Sequence, residues 1–358
     1  MEIAMGTGPG FMSLIIHGGA GQLAEDRVNK KLPVMRESLD AGWKAFCDGG
    51  TGEDAVTAAV QVMEDCEYFN AGYGGYPNAN NIVLLDAAIM NGKREYVALM
   101  NVRRLKYPSR VACDLLQKEK SLSTVWTHEL MEAYDAHEQE RKERYGWVKS
   151  HEELLSPYVV ETLRKQEGEF SKDKVLGSSG SANPDHLNPE IGHGTVGACS
   201  SDMDGGLFTC ISTGGVNHKV NGRIGDAPMV GLGLYADNDL CAMTTTGYGE
   251  ALLACFPTGF IIGRVRDEAR KDPEAFHKDE NLMKRIVDEE FEEFSGKGIQ
   301  RGGGIICIPR HGKPTYAFNT QAMPVGIAVG TRDKRIQDEV FVEWRDGRRT
   351  YDYDVKKS

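Results

Sequence analysis

One change of composition divides this chain. From Lys165 to His193, glycine, serine, asparagine, proline and aspartate dominate and apolar periodicity disappears. Such a stretch buries too little apolar surface to offset its ordering entropy, so residues of about 165–193 read as a flexible linker. Any compact fold must be assembled from what lies on either side. Helices lead before the linker and strands lead after it. A chain of 358 residues suits one large domain or two modest ones.

Before the linker, Leu14–Ile16 forms a short apolar run stopped by His17-Gly18-Gly19. Helical spacing of apolar residues predicts a helix over 32–47, closed by Gly49-Gly50. Thr51 with Asp54 three residues on is a capping signal for a second helix carrying Ala55 to Met63. The stretch 82–90 reads as a strand, and 108–165 as charged helix. After the linker, 195–200 and 206–213 read as two strands joined by an Asp204-Gly205 turn, a hairpin signal. Strands are expected at 229–234, 240–246, 305–308, 315–319 and 340–344, and helices at 249–266 and 281–294. Strands at both ends with helices between them favour a layered arrangement with much antiparallel pairing.

Composition narrows the function. The formal charge of −11 repels phosphate backbones, which argues against nucleic-acid binding. Eight scattered cysteines, without a C-x-x-C pair, read as free thiols in a reducing, cytoplasmic setting. No run of about 18 apolar residues exists, so no membrane helix is expected. Residues 1–11 lack a basic region and an apolar core; they read as a leader ahead of Met12 rather than as a signal peptide.

Polar and glycine-rich groups recur at the expected strand ends, where side chains converge on a cleft while the strands hold position. They are His17-Gly18-Gly19, Phe69-Asn70-Ala71-Gly72-Tyr73-Gly74, Gly194-Thr195-Val196-Gly197, Ser212-Thr213-Gly214-Gly215, Gly222-Arg223-Ile224-Gly225-Asp226, Thr245-Thr246-Gly247-Tyr248-Gly249-Glu250 and Phe318-Asn319-Thr320. In this order, over nearly the whole chain, they resemble the threonine-dependent isoaspartyl peptidase and L-asparaginase family, relatives of glycosylasparaginase and taspase.

The resemblance implies an α+β fold, a four-layer αββα sandwich of the N-terminal-nucleophile (Ntn) hydrolase type. It implies self-cleavage of the Gly194–Thr195 bond, giving an α-chain over 12–194 and a β-chain over 195–358 within one structural domain. Glycine suits the position before the cut, because it tolerates backbone geometries closed to other residues. Thr195 becomes the nucleophile, and its new α-amine, titrating near about 8, supplies the base that a hydroxyl needs. No catalytic histidine is then required, and His17, His193 and His218 read as structural. By the same matching, Thr213 orients the Thr195 hydroxyl, and Asn70 with Thr246-Gly247 forms the oxyanion hole. Arg223 and Asp226 hold the carboxylate and ammonium of an aspartyl substrate, with backbone contacts from Gly247 and Gly249. The loop from Met63 is similar to one that holds a structural sodium through backbone carbonyls, here of Met63, Glu64, Cys66, Phe69, Ala71 and Tyr73. No cofactor is implied for catalysis, and a homodimer of αβ units is expected.

The pattern also departs from the family. Residues 75–85 replace the usual acidic strand, and Gly74-Gly75-Tyr76-Pro77 is nearer to the glycosylasparaginase branch. The region 120–192 is longer than the family norm. Four readings follow: a β-aspartyl dipeptidase and L-asparaginase; an N4-(β-N-acetylglucosaminyl)-L-asparaginase; a taspase-like protease, disfavoured by a clamp suited to free amino acids; and an unprocessed scaffold.

Overall fold

The computed structural model describes residues 10–118, 124–127, 143–167, 194–295, 302–311 and 313–355. Most of the leader, His193 and the linker from residue 168 lie outside these. Two sheets organise the rest. The larger has nine strands: β1 (Met12–His17), β2 (Leu85–Asn91), β3 (Tyr96–Val102), β4 (Thr124–Thr127), β5 (Val196–Ser201), β6 (Leu207–Thr213), β11 (Ala322–Gly330), β12 (Arg335–Trp344) and β13 (Arg349–Tyr351). Their order is β13-β12-β11-β1-β5-β6-β2-β3-β4, antiparallel throughout except for the β3–β4 pair. The smaller sheet has the order β10-β9-β8-β7, from Thr315–Phe318, Gly303–Pro309, Cys241–Gly247 and Leu234–Asp237.

Burial on both faces explains why these strands read as unbroken apolar runs. Side chains alternate along a strand. On β1, Leu14 and Ile16 join the cluster under helices α1 (Glu25–Cys47), α2 (Gly52–Glu64) and α3 (Pro108–Lys118), whereas Ile15 joins the cluster between the sheets. Ala198 and Cys199 divide in the same way on β5, as do Cys210 and Ile211 on β6. The far face of the smaller sheet is covered by α5 (Gly249–Cys255), α6 (Pro257–Lys271) and α8 (Leu282–Ser295), through Leu252, Ile261, Val265, Val287 and Phe291. The result is four layers, helix–sheet–sheet–helix. Strands from before and after the linker alternate: β1 lies between β11 and β5, and β2 beside β6. The two segments therefore share one sheet and one core.

Several expectations need correction. The span 108–165 is not one helix: α3 ends at Lys118, β4 follows, and α4 (Pro157–Glu167) comes after a short 3-10 turn at His151–Leu154. The expected strand at 229–234 is a set of turns before β7, with Gly231 at φ 79°. The helix at 249–266 breaks at Phe256, which adopts φ 52° and separates α5 from α6. Helix α7 (Pro273–Lys278) and strands β3, β11 and β13 carried no clear periodic signal. The capping box is present: Thr51 Oγ1 accepts from the Asp54 amide at 3.2 Å, and the Asp54 carboxylate accepts from the Thr51 amide at 3.0 Å.

Gly42 sets the approach of α1 to the sheet and to α2. A β-carbon there would lie 2.6 Å from Leu14 Cδ2 and 2.8 Å from Ala55 O. Gly42→Ala improves intrinsic helix propensity by about 1 kcal/mol. Overpacking typically costs about 1–3 kcal/mol. A lowered urea midpoint is expected; a raised one would show that the two helices have slack.

Candidate active site

The hairpin made by β5 and β6 pairs Val196 with Ser212, and β2 adds Asp86 opposite Thr213. Continued by one residue, the register sets Thr195 opposite Thr213. Both lie on the face that looks toward the smaller sheet, in a row with Asp86. Thr195 is 6% exposed, and its hydroxyl donates to Thr213 Oγ1 at 3.2 Å. The Gly215 amide donates to the same Thr213 oxygen at 3.0 Å. That contact fills one acceptor position and leaves Thr213 able to exchange a hydrogen bond with Thr195 in either direction.

His17 lies beneath this row. Its Nδ1 accepts from the Gly19 amide at 3.4 Å, and a β-carbon on Gly197 would sit 2.5 Å from its Nε2. Burial pushes the imidazole down to about 3, against the pull of the Thr195 backbone. His17 is therefore neutral near pH 7. His218 sits in a left-handed turn at φ 53°, its amide donating to Pro77 O. Thr246 Oγ1 accepts from the Ala20 amide at 3.3 Å, tying β8 to the turn after β1. Gly247 adopts φ 147°, where a β-carbon would lie 2.5 Å from Gly303 Cα.

Asn70 is 4% exposed and held on both sides of its amide. Its Oδ1 accepts from the Tyr76 amide at 2.8 Å, and its Nδ2 donates to Gly215 O at 2.5 Å. An amide nitrogen carries two hydrogens, and Gly215 takes one of them.

Arg223, Asp226 and Gly249 converge. A β-carbon on Gly249 would lie 2.8 Å from Arg223 Nη2 and 3.0 Å from Asp226 Oδ1. One on Gly215 would lie 3.2 Å from Arg223 Nη1. The clamp residues thus meet at the end of the strand that carries Thr213. Two partners lie within a motif read from the sequence but were given no role there. Glu250 takes the Arg223 fork in a two-pronged pair at 3.0 and 2.9 Å. Thr245 Oγ1 donates to Asp226 Oδ2 at 3.1 Å. Lys219 is a further residue that spacing alone missed. Its ammonium donates to Leu84 O at 2.8 Å and stands 3.9 Å from Asp86, with both side chains fully buried.

Backbone oxygens gather in the loop after α2. A β-carbon on Gly72 would press on Glu64 O, and one on Gly74 would press on Phe69 O and lie 2.9 Å from Cys66 O. The Met63, Cys66, Phe69 and Ala71 carbonyls accept from the Cys66, Phe69, Ala71 and Gly74 amides respectively.

Sequence comparison agrees with this geometry. A family profile described as asparaginase matches residues 10–337. An isoaspartyl peptidase/L-asparaginase of Danio rerio is 30% identical, over 87% of this chain and 90% of its own length. A plant-type L-asparaginase of Pyrococcus abyssi is 34% identical, over 87% of this chain and 95% of its own. The isoaspartyl peptidase of Escherichia coli is 29% identical, over 87% and 90%.

Burial raises the Asp226 carboxyl to about 6, with Thr245 and Arg223 pulling the other way. An acid raised in the folded state binds its proton more tightly there than when unfolded. Asp226 therefore lowers stability as pH climbs from about 4 to 6, and the penalty is complete above that. Asp226→Asn is expected to be more stable than the parent at pH 7, with the difference vanishing below pH 4. Parallel urea titrations at the two values check this; a variant less stable at pH 7 would mean that the ion pairing outweighs the burial cost.

A nine-stranded sheet facing a smaller one, paired threonines at their shared end and a profile match over most of the length lead to one assignment: the chain belongs to the asparaginase family.

Proposed function

We propose that this protein is a self-activating hydrolase that cleaves side-chain amides of aspartyl residues, acting as a β-aspartyl dipeptidase and L-asparaginase. The contact between Thr195 and Thr213, beside the cluster of Arg223, Asp226 and Gly249, carries this reading. The relatives named as isoaspartyl peptidase and L-asparaginase support it.

In the first turnover the chain acts on itself. Thr195 Oγ attacks the Gly194 carbonyl carbon, the Gly194–Thr195 C–N bond breaks, and the threonine nitrogen takes the hydroxyl proton. Water then hydrolyses the resulting ester and leaves the Gly194 carboxylate and the Thr195 amine. Thereafter the amine is the base. It accepts the Thr195 hydroxyl proton as Oγ attacks the substrate's side-chain carbonyl and passes it to the departing nitrogen. The aspartyl ester is hydrolysed by water to release aspartate. Thr213 orients Oγ, and Asn70 with Thr246 and Gly247 stabilises the oxyanion. Arg223 receives the substrate carboxylate, Asp226 its ammonium, and Gly247 and Gly249 add backbone contacts.

Met63, Glu64, Cys66, Phe69, Ala71 and Tyr73 would hold a sodium ion through their carbonyls, glycines at 72 and 74 leaving room for those of Glu64, Cys66 and Phe69. The ion would rigidify the loop that presents Asn70. A reducing, cytoplasmic setting fits the eight free cysteines, and a homodimer of αβ units is the assembly this reading carries.

An intact-mass time course on the full chain beside Thr195→Ala tests the proposal. A fragment beginning at Thr195, absent from the variant, is the expected result. Purified cleaved protein should then release aspartate from asparagine and β-aspartyl dipeptides faster than from a sugar-linked asparagine. A chain that stays whole for days and hydrolyses none of them sinks the reading in favour of an inert scaffold.

A further inference from the structure

A cleft opens beside the Gly194–Thr195 bond; Asn70 bonds Gly215, next to Arg223, through its Nδ2 and accepts through its Oδ1 from Tyr76, which lines the cleft. Gly194, Asn70, Tyr68, Tyr76, Arg27 and Lys31 all line it. Among the described residues its lining contains two cations and no aspartate or glutamate. Both come from the first turns of α1, spaced by four residues, so they share one helix face.

Nothing in the clamp described above uses these cations. Lys31 Nζ donates to Gly18 O at 3.1 Å and lies 4.8 Å from the centre of the Phe69 ring. Arg27 lies over the Tyr158 ring at 5.4 Å. Among the described residues, neither forms a salt bridge with a carboxylate.

The position of the cleft suggests its occupant. When Oγ of Thr195 bonds an acyl carbon, the acyl chain and the departing nitrogen point apart. Arg223 and Asp226 hold the acyl chain on one side of Asn70. The departing group is thereby directed to the other side, where the cleft lies. Asparagine releases ammonia there and has no use for a cation. A β-aspartyl dipeptide releases an amino acid, whose α-carboxylate is two bonds from the departing nitrogen.

Building on the proposed hydrolase, we infer that Arg27 and Lys31 form a leaving-group subsite for the free carboxylate of the second residue of β-aspartyl dipeptides. The subsite discriminates for dipeptides with a free C-terminus, against their C-terminal amides and against asparagine. Gly194 lines the same cleft in the uncut chain, so the subsite opens fully only after cleavage.

The test uses the self-cleaved protein with three substrates: a β-aspartyl dipeptide, the same dipeptide as its C-terminal amide, and asparagine. The parent is expected to favour the free acid over the amide by at least tenfold in kcat/KM, mostly through KM. Arg27→Gln and Lys31→Met are each expected to shrink that ratio to within about threefold of one, losing far more on the free acid than on asparagine. Fragment masses and circular dichroism verify that each variant has cleaved and folded, and two separate variants guard against one failing to do so. Equal rates on acid and amide in the parent overturn the subsite. So does a uniform loss on all three substrates, which would assign Arg27 and Lys31 to the Gly194 carboxylate or to structure. Hydrolysis of asparagine alone would spare the parent reading while removing this one; hydrolysis of nothing removes both.

Discussion

Gly197 is where β1, β5 and β8 approach closely two residues after Thr195. A β-carbon there would lie 2.5 Å from His17 Nε2 and 2.7 Å from Thr244 Cγ2, so any side chain would have to displace one of them. The missing side chain allows β1, β5 and β8 to meet. With β5 held at that depth, Thr195, two residues earlier on the same face, falls opposite Thr213 rather than into solvent. The neutral His17 imidazole belongs to this packing. A charged ring in its place would be buried between sheets without an acid to pair with, and the cost of that would fall on the whole interface.

Much of the arrangement was legible where local chemistry dominates. Thr51 and Asp54 announced a helix start because capping is settled within four residues. The Asp204-Gly205 turn centred the β5–β6 hairpin, and that register alone sets Thr195 against Thr213. Phe256 was opaque: an aromatic residue in a left-handed conformation breaks no composition rule, and the α5–α6 break depends on its surroundings. Strand β11 was opaque for the opposite reason. Pro324, Gly326 and Gly330 argue against a central strand, yet all nine residues are buried there. Pro324 escapes the usual penalty because the last ladder pair with β1 joins His17 to Val325, and beyond it Gly18 donates to Pro324 O, asking no N–H of the proline.

The site shows the same division. The motifs named Thr195, Thr213, Asn70, Arg223 and Asp226, and the fold brings Arg223 and Asp226 together against Gly249. Their supporting partners lie far away in sequence or have no spacing signal. Lys219 reaches Asp86 across the β2–β6 edge, and Glu250 reaches Arg223 from the start of α5. A lone lysine followed four residues later by an arginine reads as solvated charge until the tertiary structure buries the first of them.

The Arg223–Glu250 pair gives the guanidinium a carboxylate partner of its own. The guanidinium does not wait bare at the cleft, where sulfate, phosphate or any stray carboxylate would settle on it. An incoming molecule has to displace or share Glu250, and a single negative charge gains little by exchanging one carboxylate for another. A ligand that also brings a cation to Asp226 gains on both counts. On the proposed reading, Glu250 would act as a threshold that zwitterions cross more readily than simple anions, so that selectivity would arise from competition inside the pocket as well as from its shape.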